Sequence, residues 1–269
     1  MSIWTENDHQ LPPVVVLCGG LGTRLREETE VRPKPMVPIG ERPILWHIMK
    51  GYSHHGFHRF VLALGYKGEV IRDYFVNYDL MNSDLHVCLG SKTVETLDSH
   101  HDEQKWDIVL AETGAMTMTG GRVKALTPYI GGGTFMATYG DGVSNVDLGA
   151  LLAFHRRSGK LATVTAVRPV ARYGELRING DLVEDFAEKP QTGQGWINGG
   201  FFVFEPGVLD YIDGPDIYLE REPLERLTAA GQLAVYRHDG YWQCMDTQRD
   251  MMHLNDAWRN DEAPWRTWA

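Results

Sequence analysis

Four apolar residues, Val14-Val15-Val16-Leu17, run without interruption into Cys18-Gly19-Gly20-Leu21-Gly22-Thr23-Arg24. A short β-branched run of this kind reads as a strand buried on both faces, the usual condition of strands in a parallel sheet. Parallel neighbours cannot be joined by a tight turn and need a crossover, so this junction commits the chain to alternating strands and helices.

The alternation continues downstream. Pro33, Pro35 and Pro38 each remove a backbone donor and fix φ, so a stiffened loop follows the glycines. A helix is expected from Pro43, with Ile44, Leu45, Ile48, Met49 and Tyr52 on one face and Gly56 ending it. Residues 59–64 predict the second strand and 69–78 another helix, with weaker strands at 85–89 and 107–110. The polar stretch 91–104 is expected to be a flexible insertion or a subunit-contact arm. After Thr119-Gly120-Gly121 a helix carries Val123, Leu126 and Ile130, and residues 134–139 form a strand ending at Gly140-Asp141-Gly142. A helix at 148–157 and a strand at 161–167 follow. Asn179-Gly180, flanked by Leu176-Arg177-Ile178 and Leu182-Val183-Glu184, is a hairpin signal and marks an antiparallel excursion. A strand at 196–204, a helix at 220–230, a strand at 233–237 and a closing helix at 250–260 complete a doubly wound, three-layer α/β pattern.

Charge and composition remove several functions. Lys and Arg number 26 against 36 Asp and Glu, a net charge of −10, and no Lys/Arg run exceeds two residues, which argues against nucleic acid. No stretch approaches the roughly 18 apolar residues that span a membrane, and the opening lacks a secretory layout, so a cytoplasmic protein with no membrane partner is expected. Cys18, Cys88 and Cys244 are too scattered for a disulfide framework or a zinc site and read as reduced thiols. The clusters His54-His55-His58 and His100-His101 lack a second ligand pair at metal spacing and read as solvated surface.

In an open α/β sheet, ligands collect beyond the carboxyl ends of strands. Two such ends are informative here. Three glycines in four positions, Gly19 to Gly22, let backbone N–H groups turn toward an anion, as in a phosphate cradle, or else make a mere tight turn. The Walker and dinucleotide patterns both fail at Leu25. Arg24 and Lys34 either balance a polyphosphate and its leaving pyrophosphate or are ordinary surface cations. Asp141 and Asp246, both expected near strand ends, suit magnesium, which takes one or two carboxylates together with phosphate and water. Asp246 is equally suited to cap the helix after it. Glu188-Lys189-Pro190 suits a sugar hydroxyl and a phosphate, or a solvated turn.

Together these residues resemble the sugar-1-phosphate nucleotidylyltransferases, whose GGxGTR loop and PKPM segment appear here as Gly19 to Arg24 and Pro33 to Met36. The likeness covers nearly everything after the first dozen residues, including PILWHIMK (43–50), GYKGEVI (65–71), MTGGRVK (118–124), YGDG (139–142), INGGFFV (197–203), MDT (245–247) and APWRTW (263–268), and is strongest to the cytidylyl branch. The resemblance implies a Rossmann-like nucleotidyltransferase fold, with a mixed, mostly parallel sheet and an antiparallel insert. It also implies an extension at 1–12 and one domain over 13–269: a nucleotide-binding part about 13–143, a sugar-binding part about 144–250, and a closing helix and tail at 251–269. The implied reaction is in-line attack of a sugar 1-phosphate, glucose foremost, on the α-phosphate of CTP. Leu17, Cys18, Gly19, Gly20, Leu21, Gly22, Thr23, Thr117, Gly120, Gly121, Arg122 and Gly140 would hold the nucleotide, and Arg24, Lys34, Asp141 and Asp246 would be catalytic. Asp141 and Asp246 would carry Mg2+. Tyr173, Gly174, Glu188, Lys189 and Asn198 would face the sugar phosphate.

Two departures are visible. Cys18 replaces the family's usual alanine, a packing variant between small residues. Arg172-Tyr173-Gly174-Glu175 adds a carboxylate beside the expected sugar pocket, which leaves room for another sugar 1-phosphate. A dTTP- or UTP-using enzyme and a non-catalytic nucleotide-sugar-binding subunit are the competing readings. A homo-oligomer is expected, and the tail Ala263 to Trp268 is expected either to dock onto a neighbour or, as the default, to pack on its own core.

Overall fold

The computed structural model describes residues 11–169, 175–179, 182–187 and 195–268. In chain order the main elements are β1 (Val14–Leu17), α1 (Ile44–His54), β2 (Arg59–Leu64), α2 (Gly68–Val76), β3 (Ser83–Cys88), β4 (Thr93–Ser99), β5 (Asp107–Glu112), α3 (Thr119–Ala125), β6 (Phe135–Tyr139) and β7 (Gly142–Ser144). They continue with α4 (Leu148–Ser158), β8 (Ala162–Val167), β9 (Glu175–Asn179), β10 (Leu182–Ala187), β11 (Ile197–Phe204), α5 (Glu222–Ala229), β12 (Leu233–His238), β13 (Trp242–Cys244) and α6 (Gln248–Arg259).

Seven strands form one sheet in the order β12-β8-β11-β6-β1-β2-β5. All neighbours run parallel except at β11, which is antiparallel to β8 and β6. The hairpin β9-β10 stands apart as the antiparallel insert. Period-two alternation splits β1 between two cores: Val14 and Val16 join α1, α4 and α6, while Val15 faces Val123, Leu126 and Leu227 on the other side. Helices therefore cover both faces, and the three-layer expectation stands. Trp265 in the tail is 1% exposed and stacks on Tyr241, so the tail folds onto its own chain.

Two expectations need correction. The stretch 91–104 is not irregular throughout: β4 pairs antiparallel with β3, with Val87 opposite Val94. The strand gave no clear signal because both of its faces are exposed, so no apolar alternation was required. Gly120 and Gly121 lie within the first turn of α3, not ahead of it. Their N–H groups donate to Ile217 O at 2.9 and 3.2 Å, and a Cβ on Gly120 would stand 2.8 Å from that oxygen. Close approach of segment 215–219 requires glycine there. Among the described residues, no helix is long and apolar enough to cross a membrane, and all three cysteines are free.

Candidate active site

Because β1 pairs with both β2 and β6, the loops after β1 and β6 emerge side by side, with Leu17 level with Tyr139. Gly22 sits at φ 62°, in the left-handed region that glycine adopts without strain. A Cβ on Gly19 would collide with the Arg122 guanidinium, whereas nothing lies within 4 Å of one on Gly20. The loop is thus braced from behind and open in front.

The brace is Arg122 itself, only 4% exposed. Its guanidinium donates to Leu64 O at 3.0 Å, Thr113 Oγ1 at 2.6 Å, Gly19 O at 2.9 Å and Ala115 O at 3.3 Å. It joins the ends of β1, β2 and β5, and burial holds its pKa below the usual arginine value. Arg122 borders the cavity, but these donors are directed at protein oxygens.

A cavity of about 410 Å3 opens over this loop. Leu17 to Arg24, Lys34, Thr117, Arg122, Gly140, Asp141 and Asp246 line it, together with Met116, Thr119, Tyr139 and Tyr218. Gly120 and Gly121 are not among the residues that line it, and their N–H groups are taken by Ile217 O. Asn198 reaches it through Tyr139, its Nδ2 donating to the phenol oxygen at 3.4 Å. Tyr173, Gly174, Glu188 and Lys189 lie outside the described residues.

At the cavity edge, residues remote in sequence converge. Lys34 Nζ donates to Asp141 Oδ2 at 2.7 Å and to Asp246 Oδ1 at 2.5 Å, and Arg24 pairs with Asp246 Oδ2 at 2.6 Å. Burial opposes the Lys34 charge, but Asp141 and the hydrogen bonds to both carboxylates outweigh it and push its pKa up to about 12. Asp246 is held below the usual carboxylate range, since Lys34 and Arg24 overcome its burial. Thr247, not Asp246, caps α6: its Oγ1 accepts from Asp250 N at 3.2 Å, and Asp250 Oδ2 accepts from Thr247 N at 2.8 Å. Asp246 is left to face the cavity.

Ligand atoms of Asp141, Asp246 and Cys244 all lie within 4.8 Å of one another. Burial, then Asp141, drives the Cys244 thiol well above its ordinary pKa, so it stays protonated. The donors left for a hard cation are the two carboxylates, a set of the kind Mg2+ takes together with phosphate oxygens and water.

The sequence reading missed a second cluster. Tyr139 O–H donates to Glu220 Oε1, Thr119 Oγ1 donates to Glu220 Oε2 at 2.6 Å, and Leu219 N–H donates to Thr119 Oγ1 at 2.9 Å. Burial, then Glu220, pushes the Tyr139 phenol far up in pKa, which keeps it a donor. Tyr139 was visible within the YGDG run; Glu220 carried no local signal, because its partners lie 81 and 101 residues away.

The family model described as nucleotidyl transferase matches residues 13–260. The glucose-1-phosphate cytidylyltransferase of Salmonella typhimurium is 48% identical over 256 residues, covering 94% of this chain and 98% of that protein. The probable glucose-1-phosphate cytidylyltransferase of Bacillus subtilis is 42% identical, covering 94% and 99%. Among solved structures, HddC from Yersinia pseudotuberculosis complexed with GMP-PN superposes with a TM-score of 0.68 at 24% identity, over 92% of this chain and 100% of that one. The last likeness bears on the fold.

Proposed function

The chain belongs to the nucleotidyl transferase family, and we propose that it joins CTP to a sugar 1-phosphate, α-D-glucose 1-phosphate foremost, giving a CDP-sugar and pyrophosphate. The observation that carries this reading is Lys34 seated between Asp141 and Asp246 at the lip of the glycine loop, with Arg24 beside them. The named activity of the Salmonella and Bacillus relatives supports cytidine as the base and glucose as the sugar.

A sugar phosphate is already an anionic nucleophile, so no general base is needed. Its obstacle is repulsion from the triphosphate. A phosphate oxygen of the sugar phosphate bonds to the α-phosphorus as the bond to the β-phosphate bridge breaks and pyrophosphate leaves. The backbone of Leu17 to Gly22, with Thr23, would hold the nucleotide and its phosphates, and Thr117 its base side, with Arg122 bracing the loop at the cavity border. Lys34, charged across the physiological range, and Arg24, whose side chain is 72% exposed and can turn inward, would offset the growing negative charge on the leaving group. Asp141 and Asp246 would hold Mg2+, which when bound supplies positive charge to the phosphate oxygens. Asn198, with Tyr173, Gly174, Glu188 and Lys189, would receive the sugar phosphate. Cytosine presents a donor at N4 where uracil has an acceptor, so a wall matched to one leaves a buried group unpaired with the other.

The chain works as a homo-oligomer in this reading, in the cytoplasm where nucleoside triphosphates are made. Leu85, Val87, Leu89, Val94 and Leu97 on and beside the β3-β4 arm are exposed, which supports contact with a second copy. Light scattering should give a mass above one chain; a monomer at working concentration rejects the assembly.

The deciding experiment is a matrix of nucleoside triphosphates against sugar 1-phosphates, read by pyrophosphate release. CTP with glucose 1-phosphate should give the highest kcat/KM. No product with any pair, despite CDP-sugar binding in calorimetry, would instead identify a binding subunit.

A further inference from the structure

Tyr139 closes the β6 end, two residues before Asp141, and its ring lies across β11. Gly200, at φ 78°, makes that possible, since a side chain there would enter the ring. Asn198 Oδ1 accepts from Gly200 N at 2.8 Å, which turns its Nδ2 toward the Tyr139 oxygen. With that lone pair taken, the phenol proton goes to Glu220.

Glu220 accepts hydrogen bonds from two hydroxyls, one from each side of the cavity. Thr119 belongs to the wall with Thr117 and Met118; Tyr139 belongs to the side with Asp141. Glu220 is not among the cavity-lining residues and acts through the two that are. Its strap is stitched to α3 by Met118 N donating to Pro215 O at 2.9 Å and by the Gly120 bond to Ile217.

We propose that Glu220 is a positioning residue: by fixing the Tyr139 hydroxyl, and Asn198 through it, it sets the affinity for the sugar 1-phosphate and ties that side of the cavity to the nucleotide wall. This rests on the functional reading above. A carboxylate is acceptor-only and satisfies both hydroxyls, whereas an amide has a single acceptor oxygen. In Glu220→Gln that oxygen stays with Thr119, which Leu219 N–H and its helix already hold, so the amide NH2 meets Tyr139 and the loss falls on the sugar side.

The test is steady-state pyrophosphate release with each substrate varied in turn. Glu220→Gln should raise KM for glucose 1-phosphate by about tenfold, the scale of one lost hydrogen bond to a charged group, and leave KM for CTP within about twofold. Tyr139→Phe, which keeps the ring, should show the same split and carries the test if Glu220→Gln fails to fold. The double variant should be no worse than the poorer single variant, because both changes break one link. An unchanged sugar KM, an equal rise in both KM values, or additive losses overturn the assignment while the enzyme's activity stands. A wild-type chain that forms no CDP-sugar overturns the functional reading and this inference with it.

Discussion

Lys34 holds two carboxylates together that would otherwise repel, their oxygens lying within 4.8 Å. Lys34→Gln should cut kcat/KM for pyrophosphate release by roughly 10^2-fold or more, the scale of losing one charge-stabilising group. The same change removes the one cation that bridges Asp141 and Asp246 and leaves only Arg24 beside Asp246, so Mg2+ should raise the thermal midpoint of the variant more than that of the wild type. A midpoint indifferent to Mg2+ in both proteins would remove the metal assignment. Gly19 answers to packing: Gly19→Ala drives a methyl into the Arg122 guanidinium and should cost about 1–3 kcal/mol in urea denaturation, with a higher KM for CTP. Unchanged stability would mean that the guanidinium can move aside, and Arg122 would then not be the fixed brace its four hydrogen bonds describe.

At the scale of elements, the junction from β13 into α6 does two tasks with one carboxylate. Asp250 Oδ2 accepts from Thr247 N and Thr247 Oγ1, closing the capping box, and also from Asp246 N at 3.1 Å. Asp250→Ala should therefore lower stability by about 1 kcal/mol, as cap losses do, and reduce activity as well, because the backbone that aims Asp246 loses its anchor. Stability loss with full activity would separate the helix start from the site. The β3-β4 arm shows the opposite economy: its faces are exposed in the single chain, but its base is tied down where Lys50 Nζ meets Glu103 Oε1 at 2.5 Å and Tyr78 O–H reaches Glu103 Oε2 at 3.1 Å.

Across the whole molecule, His47 joins the helical layer to the tail. Its Nε2–H donates to Ile39 O at 2.9 Å, its Nδ1 faces Trp265 Nε1 at 3.5 Å, and burial lowers its pKa to about 4. The unfolded imidazole takes a proton near 6.5 while the folded one resists until about 4, so the unfolded state binds more protons between those values. Stability from this group is complete above pH 6.5 and falls by up to about 1.4 kcal/mol per pH unit as pH drops toward 4. His155, also lowered by burial, adds in the same direction. Denaturation from pH 7 to 4.5 should show a shallower decline for His47→Gln than for the wild type; equal slopes would mean that His47 is not the titrating group. The layered fold, the glycine loop and Asp141 were legible in the chain because each is written locally, in a β-branched run, in a glycine spacing, or at the end of a strand; Lys34 and Asp246 each kept a surface or capping alternative until the resemblance to the family gave them a role. The strand within 93–99 was not, since a hairpin that packs on no core of its own chain needs no apolar rhythm. Nor were the brace by Arg122 and the link through Glu220, whose partners are backbone oxygens and hydroxyls brought from distant segments. Local pattern records what a residue buries, and so the covering of the sheet could be read from it. Which donor meets which acceptor depends on how separate segments stack, and that was decided only when the layers packed on the sheet.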